Sequence, residues 1–144
     1  MNLLRAATLA VVVSLSACST PMKPMQDQSL YQRLGGKEAI TAVVDDFVGN
    51  VAADARINKR FANANIPRLK TLLVEQICAA SGGPCTYSGR DMVTAHTGMN
   101  IQPAEFDALV DDLVKSLDKF KVPAREKGEL LGALGGMKPA IVNK

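Results

Sequence analysis

Apolar residues recur at helical spacing along the chain after residue 29, and this pattern predicts four main helices. Ile40, Val43, Val44, Phe47 and Val51 fall on one face of a helix over about 37–53. Three further stripes follow along the chain. Over about 67–80 the stripe consists of Leu69, Leu72, Leu73, Gln76, Ile77 and Ala80. After Pro103 it consists of Phe106, Leu109, Val110, Leu113, Leu117 and Phe120, and after Pro123 of Leu130, Leu131 and Leu134. The sequence has no alternating strand pattern, so the predicted fold class is all-α.

Helix start and stop signals agree with these stripes. Ser29 and Gln32 have the spacing of a capping box, which predicts a short helix ending at Gly35-Gly36. Proline is favoured in the first turn of a helix, and Gly82-Gly83-Pro84 is typical of a helix end. Between that end and Pro103 lies a segment rich in glycine and polar residues, 82–101, which is unusually long for a helical domain.

The first 28 residues differ in character from the rest. Arg5 precedes a short apolar run, so residues 1–17 are typical of a secretory signal peptide and are too short to span a bilayer. Leu15-Ser16-Ala17-Cys18 resembles the lipobox of bacterial lipoproteins, which implies lipid attachment at Cys18. The alternative is an ordinary signal peptide in which Cys18 merely follows the cleavage site.

The lipoprotein interpretation divides the chain into three parts. It predicts a signal peptide over 1–17, a lipid-anchored tether over 18–28 and a folded domain over 29–144. Ser19 after the cysteine favours the outer membrane, periplasmic face, as the location in the cell envelope.

Composition excludes several classes of function. The net charge is +3, and the basic residues are scattered rather than clustered, so no nucleic acid partner is expected. The chain has one histidine, which excludes any site built on two.

That histidine, His96, lies inside the long segment, four residues after Met92. A single imidazole beside apolar helix faces can bind haem iron. On spacing alone, a surface or hydrogen-bonded core histidine without a ligand is the more common case.

Several motifs in combination resemble the truncated haemoglobins, the two-over-two globins, of group I, from about residue 30 to 142. The motifs are Leu30-Tyr31-Gln32-Arg33-Leu34-Gly35-Gly36, Ala39-Ile40 through Phe47, Ala53-Asp54, Phe61, Gly82-Gly83-Pro84, Tyr87-Ser88-Gly89-Arg90, and Met92 with His96. The resemblance implies a truncated globin fold and one haem b per chain, with His96 as the proximal iron ligand.

The same resemblance implies a set of pocket residues. These are Phe47, Val48, Phe61, Leu69, Lys70, Leu72, Leu73, Gln76, Met92, Ile101 and Phe106, with Lys70 and Arg68 as candidate partners of the haem propionates. As isolated cations, Lys70 and Arg68 are equally compatible with a solvent-exposed role.

The distal side departs from the family pattern. Val48 stands where group I members often have tyrosine, and Leu69, Leu72 and Leu73 stand where they often have glutamine or threonine. Gln76 is the only obvious polar candidate, and it is also compatible with a solvent-facing or propionate-side position. Without donors to a partly charged ligand, dioxygen is expected to bind more weakly, while CO and NO are affected less.

The remaining candidate chemistry is limited. Cys78 and Cys85 are seven apart and can form a disulfide in an oxidising compartment, or remain a buried and an exposed thiol. If the disulfide forms, its redox state is hypothesised to alter ligand affinity. The adjacent carboxylates Asp45-Asp46 and Asp111-Asp112 are expected on solvated helix faces.

The predicted function is binding of a diatomic gas (O2, NO or CO) at haem iron in the bacterial cell envelope, with NO detoxification through a reductase as an extension. Two alternatives remain open from the sequence. One is haem-based electron transfer or sensing, and the other is a cofactor-free helical interaction module.

Overall fold

The computed structural model describes residues 28–144, and the predicted signal peptide, Cys18 and all but the last residue of the tether lie outside them. Seven α-helices are present in this range. They are α1 (Leu30–Arg33), α2 (Gly36–Ala53), α3 (Ile66–Ala80), α4 (Met92–His96), α5 (Pro103–Lys119), α6 (Ala124–Gly135) and α7 (Lys138–Ile141), with a 3-10 helix over Asn58–Phe61 between α2 and α3. Among these residues no helix is both long enough and apolar enough to cross a bilayer.

The four long helices form two packed pairs. Helix α2 packs against both α3 and α5, and α6 packs against α3 and α5 in turn. Their apolar stripes meet in one core, in which Val44, Cys78, Leu117 and Leu130 are almost fully buried. The prediction of an all-α fold with four main helices is confirmed.

Most of the predicted helix ends are also confirmed. The Ser29 hydroxyl accepts the Gln32 N–H, and the Gln32 side chain accepts the Ser29 N–H in return. Gly35 and Gly36 have φ angles of 92° and 75°, a region that glycine enters without steric cost. Pro123 caps α6 from outside, whereas it was expected as the first helical residue.

Two predictions about α5 were wrong. Phe120 was expected to face inward, but it follows the last helical residue and is 43% exposed. Asp112 was expected on a solvated face, but its exposure is 0%. Adjacent residues on a helix point about 100° apart, so Asp111 faces solvent while Asp112 faces α2.

A polar network fills the place where Asp112 meets α2. The Asn50 amide donates to the Asp112 carbonyl at 3.3 Å and to the Ser116 hydroxyl at 2.9 Å. Ser116 donates onward to the Asp46 carboxylate at 2.8 Å, and Lys115 pairs with Asp112 at 2.7 Å. One carboxylate oxygen of Asp112 has no partner, so this network is only partly satisfied.

Candidate functional site

Local sequence explains why a short helix forms in the middle of the long 82–101 segment. Asp91 is the N-cap of α4, and its Oδ1 accepts the Thr94 N–H at 3.0 Å. Hydrogen bonds from Thr94 lower the pKa of Asp91 below its ordinary value of 3.8. Past the end of α4, Gly98 has a φ of 83°, which turns the chain away. The helix therefore places His96 at its last position.

The ring of His96 is held at one nitrogen. Its Nδ1 lies 2.7 Å from the carbonyl oxygen of Met92, one turn earlier in α4. A carbonyl oxygen only accepts, so Nδ1 carries the proton, and in the neutral imidazole Nε2 keeps the lone pair. This arrangement is the one that metal-ligating histidines adopt. The ring is half-buried, which leaves a route for a ligand.

Helix α3 supplies an apolar wall. Leu69, Leu72 and Leu73 are all half-buried, and Ile66 at the start of the helix is 36% exposed. The Asn65 side chain caps the helix by accepting the Arg68 N–H at 3.0 Å. These apolar side chains are incompletely covered by the protein itself.

The predicted pocket residues divide between the core and its edge. Phe47 and Val48 are buried members of the main core, and Phe61 packs against that core while remaining half-buried. Ile101 and Phe106 are 9% and 7% exposed but lie outside the main core. A second, smaller apolar region therefore exists around the segment that follows His96.

The C-terminal residues close over that second region. Ile101 pairs with Val142 in an isolated bridge, and the Asn143 N–H donates to the Ile101 carbonyl at 2.9 Å. The ammonium of Lys138 lies 5.1 Å from the centre of the Phe106 ring, a cation–π contact. Helix α7 also packs against α4.

The Gln76 side chain contacts two methionine side chains. Its side-chain amide nitrogen lies 3.2 Å from the Met92 sulfur and 3.3 Å from the Met137 sulfur. The residue is half-buried. Met137 was not among the predicted pocket residues, because no local sequence signal links it to Gln76, 61 positions away.

The segment leading to α4 is fastened to α3 at two places. Cys78 and Cys85 form a disulfide with 5.7 Å between their Cα atoms. Further along, the Ser88 N–H and hydroxyl both donate to Glu75, at 2.9 and 2.7 Å. These two bonds lower the pKa of Glu75 below its ordinary value.

A close approach at Gly83 also fixes this segment. A Cβ added there would come within 2.5 Å of the Tyr31 ring and 2.7 Å of the Cys78 sulfur. Only glycine fits, so this glycine serves packing rather than a positive φ.

The two cations predicted near the propionates have protein partners. Lys70 pairs with Asp45 at 2.9 Å, and Arg68 donates to the Ser88 hydroxyl at 3.1 Å. The Lys70 ion pair and the Arg68 hydrogen bond both lie on exposed or half-buried surface, where such contacts contribute little and can be exchanged.

A surface cleft at the end of α2 offers no rival site for haem. It is lined by Asn50, Ala53, Asp54, Ala55, Arg56 and Lys115. Arg56 already pairs with Asp54 and Asp111, and this pairing lowers the pKa of Asp54 to about 2. The cleft is polar and contains none of the predicted pocket residues.

The residues of the His96 region fit haem. The imidazole offers one free lone pair, and the neighbouring helices leave apolar surface that a flat macrocycle would cover. Within residues 28–144 no cluster of histidine, cysteine or carboxylate side chains is suited to a bare metal ion.

Comparisons with known proteins identify the family of this chain. Residues 29–143 match the profile of the family described as bacterial-like globin. The Group 1 truncated hemoglobin GlbN of Mycolicibacterium paratuberculosis is 37% identical over 113 residues, which cover 78% of this chain and 83% of that protein. The GlbN of Nostoc sp. (strain MUN 8820) is 33% identical over 81% of this chain and 98% of its own.

Solved structures agree with this result. The Fe(III) form of truncated hemoglobin from Tetrahymena pyriformis superposes with a TM-score of 0.79 at 30% identity, covering 81% of this chain and all of that one. The cyanomet 2/2 hemoglobin from Synechococcus sp. PCC 7002, which has covalently attached heme, has a TM-score of 0.76 at 29% identity, with the same coverage of both chains.

The fold and the site define a globin of the shortened, two-over-two kind. The chain belongs to the bacterial-like globins, among the group 1 truncated haemoglobins. The predicted fold class and family are thereby confirmed, and haem is the cofactor of that family.

Proposed function

We propose that this chain binds one haem b through His96 Nε2 and takes a neutral diatomic gas (NO, CO or O2) on an apolar distal side. The observation that carries the proposal is the state of His96. Its Nδ1 proton is donated to Met92, so the lone pair of Nε2 is the only imidazole lone pair that the chain can offer.

When bound, haem supplies an iron atom with a coordination position for the gas. The protein's contribution begins with the hydrogen bond from His96 to Met92, which orients the ring and strengthens it as a ligand. Val48, Leu69 and Leu73 exclude water and present no hydrogen-bond donor. Gln76, the one polar candidate, points its amide at two sulfurs instead.

This apolar lining supports a preference among gases. Bound dioxygen draws negative charge, so it gains from a nearby donor, whereas CO gains much less. A hydrogen bond to a charged acceptor contributes about 1.5–3 kcal/mol. The absence of such a donor favours CO and NO over long-lived storage of dioxygen.

Substitution at Val48 tests this preference. Val48→Tyr supplies a hydroxyl at a buried position, and Val48→Phe supplies the same ring without it. We expect the ratio of O2 to CO affinity to rise about 10- to 150-fold in the tyrosine variant relative to the phenylalanine variant. Equal ratios in the two variants would contradict the apolar-pocket account, and the shared ring controls for overpacking.

We further propose that the domain is attached to a membrane of the cell envelope through a lipid on Cys18. The apolar run before Cys18 supports this, and the globin match begins only at residue 29. We expect the full chain to sediment with membranes and Cys18→Ala to be released from them. Equal membrane association of the two forms would argue against lipid attachment.

We also propose NO removal with the help of a reductase as an extension of gas binding. Conversion of NO to nitrate consumes one O2 and one electron per NO, so the test is steady NO consumption by the haem-loaded protein supplied with dioxygen and an electron donor. Consumption that stops after one equivalent would leave gas binding as the function and remove NO detoxification.

A further inference from the structure

Gln76 makes a contact that neither haem binding nor gas selection requires. Its amide nitrogen is within 3.3 Å of two thioether sulfurs, those of Met92 and Met137. The amide has two N–H donors and a thioether is a weak acceptor, so one Gln76 can serve both sulfurs at once. Gln76 therefore links α3 to two other parts of the chain.

One of those parts is the helix that holds the proposed iron ligand. Met92 is the first residue of α4, and its carbonyl accepts the Nδ1–H of His96, the last residue of α4. A single path of contacts thus runs from Gln76 to the Met92 side chain and, through the Met92 backbone, to the imidazole.

The other part lies between α6 and α7. Met137 precedes α7, and α7 itself packs against α4. Contact with both sulfurs fixes the amide from two directions. Helix α4 has only five residues, so it cannot maintain its own position and depends on contacts of this kind.

We propose that Gln76 is a positioning residue for His96, acting through the sulfur of Met92, and is not a hydrogen-bond donor to the gas. The proposal rests on the proposed function insofar as His96 is the iron ligand. The proposed effect comes from hydrogen-bond donation and not from side-chain volume, because leucine would fill the same space but would donate nothing to either sulfur.

The test is a double-mutant cycle. Gln76→Leu removes the donor, Met92→Leu removes the acceptor with little change of volume, and the double variant removes both. The first readout is the iron–histidine stretching band of the ferrous, ligand-free haem protein, since this band reports the strength and orientation of the bond at His96. The second readout is amide hydrogen exchange of residues 94–97 in the haem-free protein.

We expect both single variants to shift the stretching band in the same direction and the double variant to shift it no further. We expect exchange at residues 94–97 to rise about 2- to 10-fold in each single variant, which corresponds to the loss of one hydrogen bond. Thr71→Val is the matched control, because the Thr71 hydroxyl donates to the Pro67 carbonyl within α3 and is exposed. It should leave both readouts at their wild-type values.

The proposal would be overturned if Gln76→Leu changed neither the stretching band nor the exchange rate. It would also be overturned if the band shift of the double variant equalled the sum of the two single shifts. A change in the O2 to CO affinity ratio without any band shift would also overturn it, because Gln76 would then act on the gas directly. Failure of the wild type to bind haem through His96 would reject the proposed function instead, and hydrogen exchange would still decide the role of Gln76.

Discussion

At the scale of single residues, the orientation of His96 depends on groups within its own short helix. Met92 accepts the ring proton, and Asp91 caps the helix that carries both residues. The resemblance to the group I truncated haemoglobins, and not spacing alone, implied the roles of His96 and Met92. It did not predict the partners of Gln76, because the two sulfurs come from segments distant in the chain.

The cap at Asp91 makes the stability of α4 sensitive to acid. The pKa of Asp91 is lowered in the folded protein, so its stabilising effect is present above the unfolded pKa and is lost as pH falls through the folded value. Asp91→Asn keeps a capping oxygen and removes the charge. We expect the Tm of the wild type to fall relative to that of Asp91→Asn as pH drops from about 6 to below 3.8.

Thermal unfolding measured across this pH range checks the expectation, and the comparison with asparagine cancels the titration of the other carboxylates. A difference in Tm that is constant with pH would show that the Asp91 charge contributes nothing to the cap.

At the scale of elements, the segment between α3 and α4 is held by three contacts. The disulfide holds its start, the Ser88–Glu75 hydrogen bonds hold its middle, and Gly83 fits against Tyr31. Cys78 is fully buried and Cys85 half-buried, so an external thiol reaches the Cys85 sulfur first.

Removal of this disulfide should destabilise the domain. A bridge between residues seven apart restricts the unfolded chain by about 2–3 kcal/mol. We expect the double variant Cys78→Ala/Cys85→Ala to unfold about 5–10 °C below the oxidised wild type. We also expect it to lose haem faster, because the linker to His96 is less restrained.

Reduced wild type is the matched control, since it lacks the bridge but keeps both side chains. Equal CO affinity in its reduced and oxidised forms would reject the hypothesis that the disulfide regulates the haem site and leave it a structural role. An unchanged Tm in the double variant would contradict the structural role too.

Helix periodicity predicted the long elements because each needs only one apolar face against its neighbours. Pro103 opens α5 as expected, and the glycine pair at the start of α2 adopts the positive φ angles expected of it. The errors lie where tertiary packing overrides the local pattern. Asp112 is buried because α2 crosses α5 there, and Phe120 is exposed because the helix has already ended at Lys119.

At the scale of the whole molecule, the two pairs of long helices form one core, and the predicted pocket residues divide between this core and its edge. Phe47 and Val48 are shared between the core and the predicted pocket, whereas Ile101 and Phe106 form the smaller region under α7. Apolar side chains also remain on the surface at Ile66 and Val93, which are 36% and 47% exposed.

Haem binding through His96 is tested by a haemin titration of residues 19–144, followed by absorption spectroscopy, beside His96→Ala. We expect a sharp Soret band that saturates at one haem per chain and is lost in the variant. Binding without fixed stoichiometry, or an identical spectrum in His96→Ala, would contradict His96 as the iron ligand.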